Sequence, residues 1–437
     1  MRVRDSLMAV YASVRNPRRA VWLMAWLAFG WTLSVTNPLI AQSLTWLGTI
    51  GHPMSTARGV SDDGSAVTGW FTRADGKNFA FRWTPSTGMR NLGTLAGYTT
   101  SQANGISGDG NRVVGVAIYE GHYVVSWRAF SWTPQSGMRD LGQLPGSGYN
   151  RADAISGDGS VIVGMGLDSY PPDYRLVPRA FRWTSSSGMV SLGTLGGSES
   201  RAFGVSRNGS VVVGWSLNHL GERWAFRWTS AGGMQGLYPL ATCCGEAYGI
   251  SDDGLVIAGR AHSAITERWH ACLWTWNGSD YSPRDLGTLG GNESQAFACT
   301  NNQIAVGWAH NAAGQRRAFR WTPSAGMIDL TAVYASLLSP GSYLELANDI
   351  TPDGRFIVGQ GYNAATGRRE AYLLDTLCIG HNGDVDANGC VDDADLLAVL
   401  FAFGNTGEVL CRVDVTCDGE VDDADLLIVL FNFGRGC

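Results

Sequence analysis

Residues 202–237 read AFGVSRNGSVVVGWSLNHLGERWAFRWTSAGGMQGL. Four short runs rich in Val, Phe and Trp stand in this stretch: Ala202–Ser206, Val211–Trp215, Ala225–Thr229 and Met234–Leu237. Their length and composition suit strands rather than helices. The first two are joined by Arg207-Asn208-Gly209-Ser210, and Asn-Gly enters positive φ at little cost, which predicts a tight hairpin. Sister stretches carry Asp62-Asp63-Gly64, Gly108-Asp109-Gly110, Gly157-Asp158-Gly159, Asp252-Asp253-Gly254 and Pro352-Asp353-Gly354 at the same place. The third and fourth runs are joined by short turns such as Thr133 to Met138.

Working outward, the Ala-Phe-Arg-Trp phrase ends at Trp83, Trp132, Trp183, Trp228, Trp274, Trp321 and, degenerately, Leu374, with spacings of 49, 51, 45, 46, 47 and 53 residues. A period near 40 to 50 residues marks repeated supersecondary units, and four antiparallel strands per unit is the blade of a β-propeller. The seventh unit stops at Asp375 without a fourth run, while an orphan fourth run, Leu44 to Gly48, precedes the first unit. The expectation is a mainly β, seven-bladed propeller over residues 42–375, sealed by the N-terminal strand pairing into the last blade. Phe81 and Trp83 share one blade face and Ala80 and Arg82 the other, so the repeated aromatics are expected in the core.

The chain ends differ from the repeats. Residues 1–41 hold five arginines, an apolar stretch from Ala20 to Val35 and then Asn37-Pro38-Leu39-Ile40-Ala41, the layout of a signal peptide. An uncleaved signal anchor is the alternative, and it would be the chain's one membrane contact. In either case the bulk of the chain is secreted or displayed at the cell surface. Of 38 acidic residues one is in the leader and 12 are in the tail, and of 32 basic residues five and two are, so the repeats are neutral. A neutral ring argues against nucleic acid as a partner.

The acid of the tail, 376–437, has a pattern. Asp384, Asp386, Asn388, Cys390 through its backbone carbonyl, Asp392 and Asp395 fall at positions 1, 3, 5, 7, 9 and 12 of a calcium loop, with Gly389 at the sixth. Asp414, Thr416, Asp418, the Glu420 carbonyl, Asp422 and Asp425 repeat the set, so two Ca2+ sites are expected. Apolar helices over Ala394–Phe403 and Ala424–Phe433, capped by Gly404 and Gly434, should pack on one another in a small α-helical module. Ion binding and folding should then be one event.

At these residues the tail resembles type I dockerin modules, which implies a cohesin-like or cell-surface protein as its partner. Thr416 stands where the family has Asn or Asp, and Asp393-Ala394 and Asp423-Ala424 stand where it has hydroxyl residues. The repeats resemble the HAF-repeat extracellular proteins of bacteria through Arg128-Ala129-Phe130, Arg179-Ala180-Phe181, His270-Ala271-Cys272 and Arg317-Ala318-Phe319, and through Leu-Gly-Thr-Leu-Gly-Gly at Leu192 to Gly197 and Leu286 to Gly291. That resemblance implies an architecture and an extracellular place, not a reaction.

Binding residues concentrate on loops of rigid scaffolds. If the first strand of each blade is innermost, the variable loops share one face, and Tyr119, Glu120, His122, Tyr123, Tyr170, Asp173, Tyr174, Arg175 and Trp269 are the candidates for holding a glycan or another ligand. A non-enzymatic binding or scaffold role follows. The alternative is a polysaccharide-degrading glycosyl hydrolase, for which Glu199 and Glu293 would be the carboxylate pair. Nine cysteines permit disulfides in an exported chain. Cys378 and Cys437 could clasp the tail, Cys390, Cys411 and Cys417 offer a second bond, and Cys272 and Cys299 are expected as packed thiols.

Overall fold

The computed structural model describes residues 42–437 apart from 52, 122–124, 171–174, 242, 378–381, 387, 406–412 and 417–419. The leader, His122, Tyr123, Asp173, Tyr174, Cys378, Cys411, Cys417 and Asp418 lie outside the described residues. Among those described, no helix is long and apolar enough to cross a membrane.

The protein is mainly β, and its four-stranded sheets resemble propeller blades. Units two to six are each one antiparallel sheet of four strands in chain order. Unit four, for example, runs Gly196–Val205, Val211–Asn218, Arg223–Thr229, Gly233–Gly236. Its first strand begins six residues before the expected Ala202, because Gly196 already pairs with Asn218 ahead of an irregularity that ends at Ser200. The strands of unit one (Met54–Val60, Val67–Thr72, Asn78–Thr84 and Gly88–Asn91) share an eight-stranded sheet with Tyr343–Ile350, Phe356–Asn363 and Arg368–Asp375 of unit seven. The N-terminal strand Ser43–Gly48 lies antiparallel to Arg368–Asp375, with Leu44 opposite Leu374 and Trp46 opposite Tyr372.

The hairpins form as their sequences dictate. In the first, the Gly64 amide donates to Ser61 O, Ser61 Oγ donates to the Asp63 carboxylate at 2.8 Å and accepts from the Ala66 amide at 2.9 Å. Gly64 has φ +71°. Unit six closes its hairpin without glycine: Gln303 sits at φ 62°, in a region that costs a residue with a Cβ.

Packing follows the repeated phrase. Phe81, Phe130, Phe181, Phe226 and Phe319 are fully buried, as is Cys272 in unit five. On the opposite face Ala80, Ala129, Ala180, Ala271 and Ala371 are equally buried. Their small size lets the next unit approach: Ser101 Oγ accepts from the Ala80 amide, Ser200 Oγ from Ala180 and Ser294 Oγ from Ala271, at 2.8 to 3.0 Å. Each serine hydroxyl in turn donates to a glycine carbonyl, Gly93, Gly193 or Gly287. The same pair of bonds joins units seven and one, where Ser55 Oγ accepts from Ala371 N at 2.9 Å and donates to Gly48 O.

In the tail two helices, Asp393–Ala402 and Asp423–Asn432, are each opened by a capping box, Asp392 with Asp395 and Asp422 with Asp425. The halves clasp reciprocally: Gly404 N donates to Val421 O and Gly434 N to Val391 O, each at 2.8 Å. Their common core is valine, Val385, Val391, Val399, Val415, Val421 and Val429. The helices bury less apolar surface than expected, since Leu397, Leu400, Phe401 and Phe403 and their counterparts Leu427, Leu430, Phe431 and Phe433 are exposed, Phe401 by 86% and Phe431 by 79%. The disulfide pairing also departs from expectation. Cys437 bonds Cys390, not Cys378, because the reciprocal clasp brings the chain end beside the first loop. Cys272 and Cys299 are free and buried, as expected.

Candidate functional site

The first strands of all seven units line one cavity of about 350 Å³. Each strand carries the same frame. A buried alanine (Ala57, Ala103, Ala152, Ala202, Ala247, Ala296, Ala347) is followed, after one residue, by the point where the ladder resumes beyond a bulge. The residue after that alanine stands out of the ladder and lines the cavity: Arg58, Asn104, Asp153, Phe203, Tyr248, Phe297 and Asn348. Buried frame and variable bulge are separate classes of position, and the chemistry resides in the second.

Three consecutive units supply aromatics, Phe203 and Tyr248 with ring centroids 5.0 Å apart, Tyr248 and Phe297 at 5.8 Å. The remaining units supply polar groups. Asp153 receives Arg151 Nε at 2.8 Å and a two-pronged contact from Arg201, Nε at 3.0 Å and a terminal nitrogen at 2.9 Å. Burial opposes the Asp153 charge, but the two guanidiniums outweigh it and hold the carboxyl below its ordinary range. Glu246 is likewise buried and clamped by Arg260 and Arg223, each at 2.7 Å, with the Tyr248 hydroxyl donating to it. Asn104 Nδ2 donates to Ala152 O and Asn348 Nδ2 to Ala57 O, so both amides are tied to the neighbouring unit. At the hairpin end Arg207 of unit four bridges Asp62 of unit one at 2.6 Å and Asp252 of unit five at 2.9 Å.

Two side chains depart from this saturation. Arg58 makes no hydrogen bond or ion pair among the described residues. The residue is exposed by surface area, yet desolvation among the surrounding strands lowers its guanidinium pKa, and Arg151 and Arg201 add to that while Asp153 opposes it. Asp349 occupies a place that is glycine or alanine in the other units. It accepts from Val60 N and Ile350 N at 3.0 Å, and burial pushes it up to about 7.

The residues singled out from sequence lie elsewhere. Tyr119 is half exposed near a hairpin tip where Glu120 pairs with Val125. Tyr170 and Arg175 pair at the end of another hairpin. Trp269 packs edge-on against His262 at 4.4 Å, under the Arg260 guanidinium at 4.5 Å. Glu199 and Glu293 each precede the serine that ties two units and do not line the cavity. The signal for the cavity was available in the sequence: alignment of the seven first strands exposes one variable column beside an unvarying alanine.

In the tail, carboxylate oxygens of Asp384, Asp386 and Asp395 converge within 4.8 Å of one another, and Asp395 is fully buried. Oxygens around one hard cation at roughly 2.4 Å are at most about 4.8 Å apart, so the cluster has the span of a metal site. Asp395 also accepts from Val385 N and Asp386 N, at 2.6 and 3.0 Å, which ties the loop to its helix. In the second half Asp425 accepts from Thr416 N at 2.8 Å, and Asp414 accepts from the Thr416 hydroxyl.

No family model matches the chain, and no curated relative matches it. Among solved structures it is similar to TolB from Acinetobacter baumannii (12% identity, 56% of each chain covered, TM-score 0.37). This chain thus spans little more than half of that protein. It is similar to dipeptidyl peptidase 4 of Porphyromonas gingivalis (9%, 76% of this chain and 52% of that one, 0.42). It is also similar to the β-propeller domain of the Trilobed protease from Pyrococcus furiosus (10%, 77% and 93%, 0.45). At these scores the likenesses carry no argument about function.

Proposed function

We propose that this protein is a secreted or surface-attached binding propeller, without catalytic activity, whose seven blades close into a ring and whose C-terminal dockerin-like module attaches it through two Ca2+ sites. The observation that carries the reading is the cavity: seven copies of one buried frame present seven different combinations of side chains to a common space. An array whose frame repeats while one column varies suits ligand recognition. The equivalence of the Ser55 and Ser101 ties supports closure. The convergence of Asp384, Asp386 and Asp395 supports metal binding, and hard oxygen donors in this pattern favour calcium. The repeated exposed faces at Phe401 and Phe431 support a protein partner for the tail, a cohesin-like or cell-surface protein.

The test screens the full chain, with and without Ca2+, on a glycan array and in a polysaccharide hydrolase assay. Retention without turnover supports the reading. Turnover that disappears in Glu199→Gln or Glu293→Gln would establish the hydrolase alternative instead.

A further inference from the structure

Arg58, Arg151 and Arg201 line the cavity beside Asp62, Asp153, Asp252 and Asp349, and the six besides Arg58 have hydrogen-bond or ion-pair partners. Asp153 is answered by Arg151 and Arg201, and Glu246 by Arg223 and Arg260. Arg58 is exposed and lines the cavity, and, unlike the other four arginines, its side chain makes no hydrogen bond or ion pair among the described residues. A guanidinium keeps its charge even when crowded, and it presents a planar fork of donors matched to an oxyanion. An exposed guanidinium facing a cavity is open to an oxyanion without first giving up a protein partner.

The cavity is also sided. Phe203, Tyr248 and Phe297 form one contiguous aromatic wall, half-buried and in mutual contact. Arg58, Asn104, Asp153 and Asn348 come from the other units. Asn104 and Asn348 donate to backbone carbonyls, and Arg151 and Arg201 are committed to Asp153, so Arg58 is the cavity arginine without a side-chain partner among the described residues. A volume of about 350 Å³ suits a small molecule rather than a polymer chain.

Resting on the reading of the ring as a binding module, we propose that its central cavity binds a small organic carboxylate, with the carboxylate on the Arg58 guanidinium and an apolar ring face against Phe203, Tyr248 and Phe297. Two sources share this chemistry, a uronic acid sugar and an aromatic acid. Calorimetric titration of the full chain with glucuronate and with phenylacetate separates them, with glucose and phenylacetamide as the uncharged counterparts. The expected result is saturable binding of at least one acid, at least tenfold tighter than its counterpart, reduced at least tenfold by Arg58→Met. The acid preferred identifies the source. Arg58→Lys keeps the charge and loses the fork, and is expected to bind between the two; it also serves if the Met variant fails to fold. Equal affinity for an acid and its uncharged counterpart, or binding indifferent to Arg58, overturns the proposal. If that binding is lost in Phe203→Ala, the cavity still binds ligands and only its anion preference is refuted. If no probe binds, and neither Arg58→Met nor Phe203→Ala alters retention on the glycan array, the binding-ring reading falls as well.

Discussion

At the residue scale, the repeats serve as their own controls, because the same backbone position is filled seven times and departures stand out. Gln303 is one. Its counterparts Gly64, Gly110, Gly159, Gly209, Gly254 and Gly354 sit at φ between 70° and 80°, while Gln303 holds 62° with a side chain attached. Gln303→Gly should therefore stabilise the repeats by about 1 kcal/mol, read as a higher denaturant midpoint at unchanged m-value; a lower midpoint would contradict this. Asp349 is another. Its counterparts Gly59, Gly105, Gly204 and Gly249 admit close approach of the next strand, whereas its carboxyl reaches Val60 N across the unit boundary. Burial raises it to about 7, with Asp62 and Asp252 adding repulsion. The folded state thus holds a proton that the unfolded chain releases near its ordinary value of 3.8. Stability from this group is full below pH 4 and is lost as pH rises through about 7. Wild type should lose melting temperature relative to Asp349→Asn between pH 5 and pH 8, and parallel profiles would show that the carboxyl is ionised throughout.

At the element scale, the strands and hairpins were legible because Asp-Gly turns and period-two apolar runs are local signals, and both were found where the pattern put them. The early start of the strand Gly196–Val205 was not legible, since Gly-Gly-Ser-Glu-Ser carries no apolar alternation. The cavity residues were hidden for a related reason. Arg58, Asn104 and Asp153 read as polar strand residues among Phe203, Tyr248 and Phe297, which read as core, and only their common bulge unites them. The tail helices were foreseen to within one residue at each end, but not their exposed faces, because an apolar run gives the amount of hydrophobic surface and not what covers it. The loop carboxylates lead to a direct expectation. Asp395 is at once cap, loop anchor and member of the acidic cluster. Asp395→Asn should reduce the calcium stoichiometry of the full chain from two to one, or weaken one site by at least about tenfold, in a calorimetric titration. Unchanged stoichiometry and affinity would remove the first loop as a site.

At the scale of the whole molecule, the position of Ser43–Gly48 decides what kind of object the repeats make. A stack of sheets that ended at unit seven would present Arg368–Asp375 as an open edge, and such edges pair with other chains. Here that strand is covered by a segment more than 300 residues away in sequence, with Leu44, Thr45 and Trp46 opposite Leu374, Leu373 and Tyr372. Gly48 accepts from Ser55 as Gly93 accepts from Ser101, so the N-terminal strand stands to unit one as the fourth strand of unit one stands to unit two. Deleting residues 43–48 should lower the melting temperature, speed amide exchange across residues 368–375 and move the chain toward higher oligomers on size exclusion, since the bared edge seeks a replacement strand. The loss should exceed that from Ser55→Ala, which removes one side-chain partner and leaves the Ala371 amide unsatisfied at a cost of about 1 to 3 kcal/mol. If the deletion variant is monomeric, with unchanged melting and exchange in residues 368–375, the N-terminal strand is an ornament and the units hold together through their faces alone.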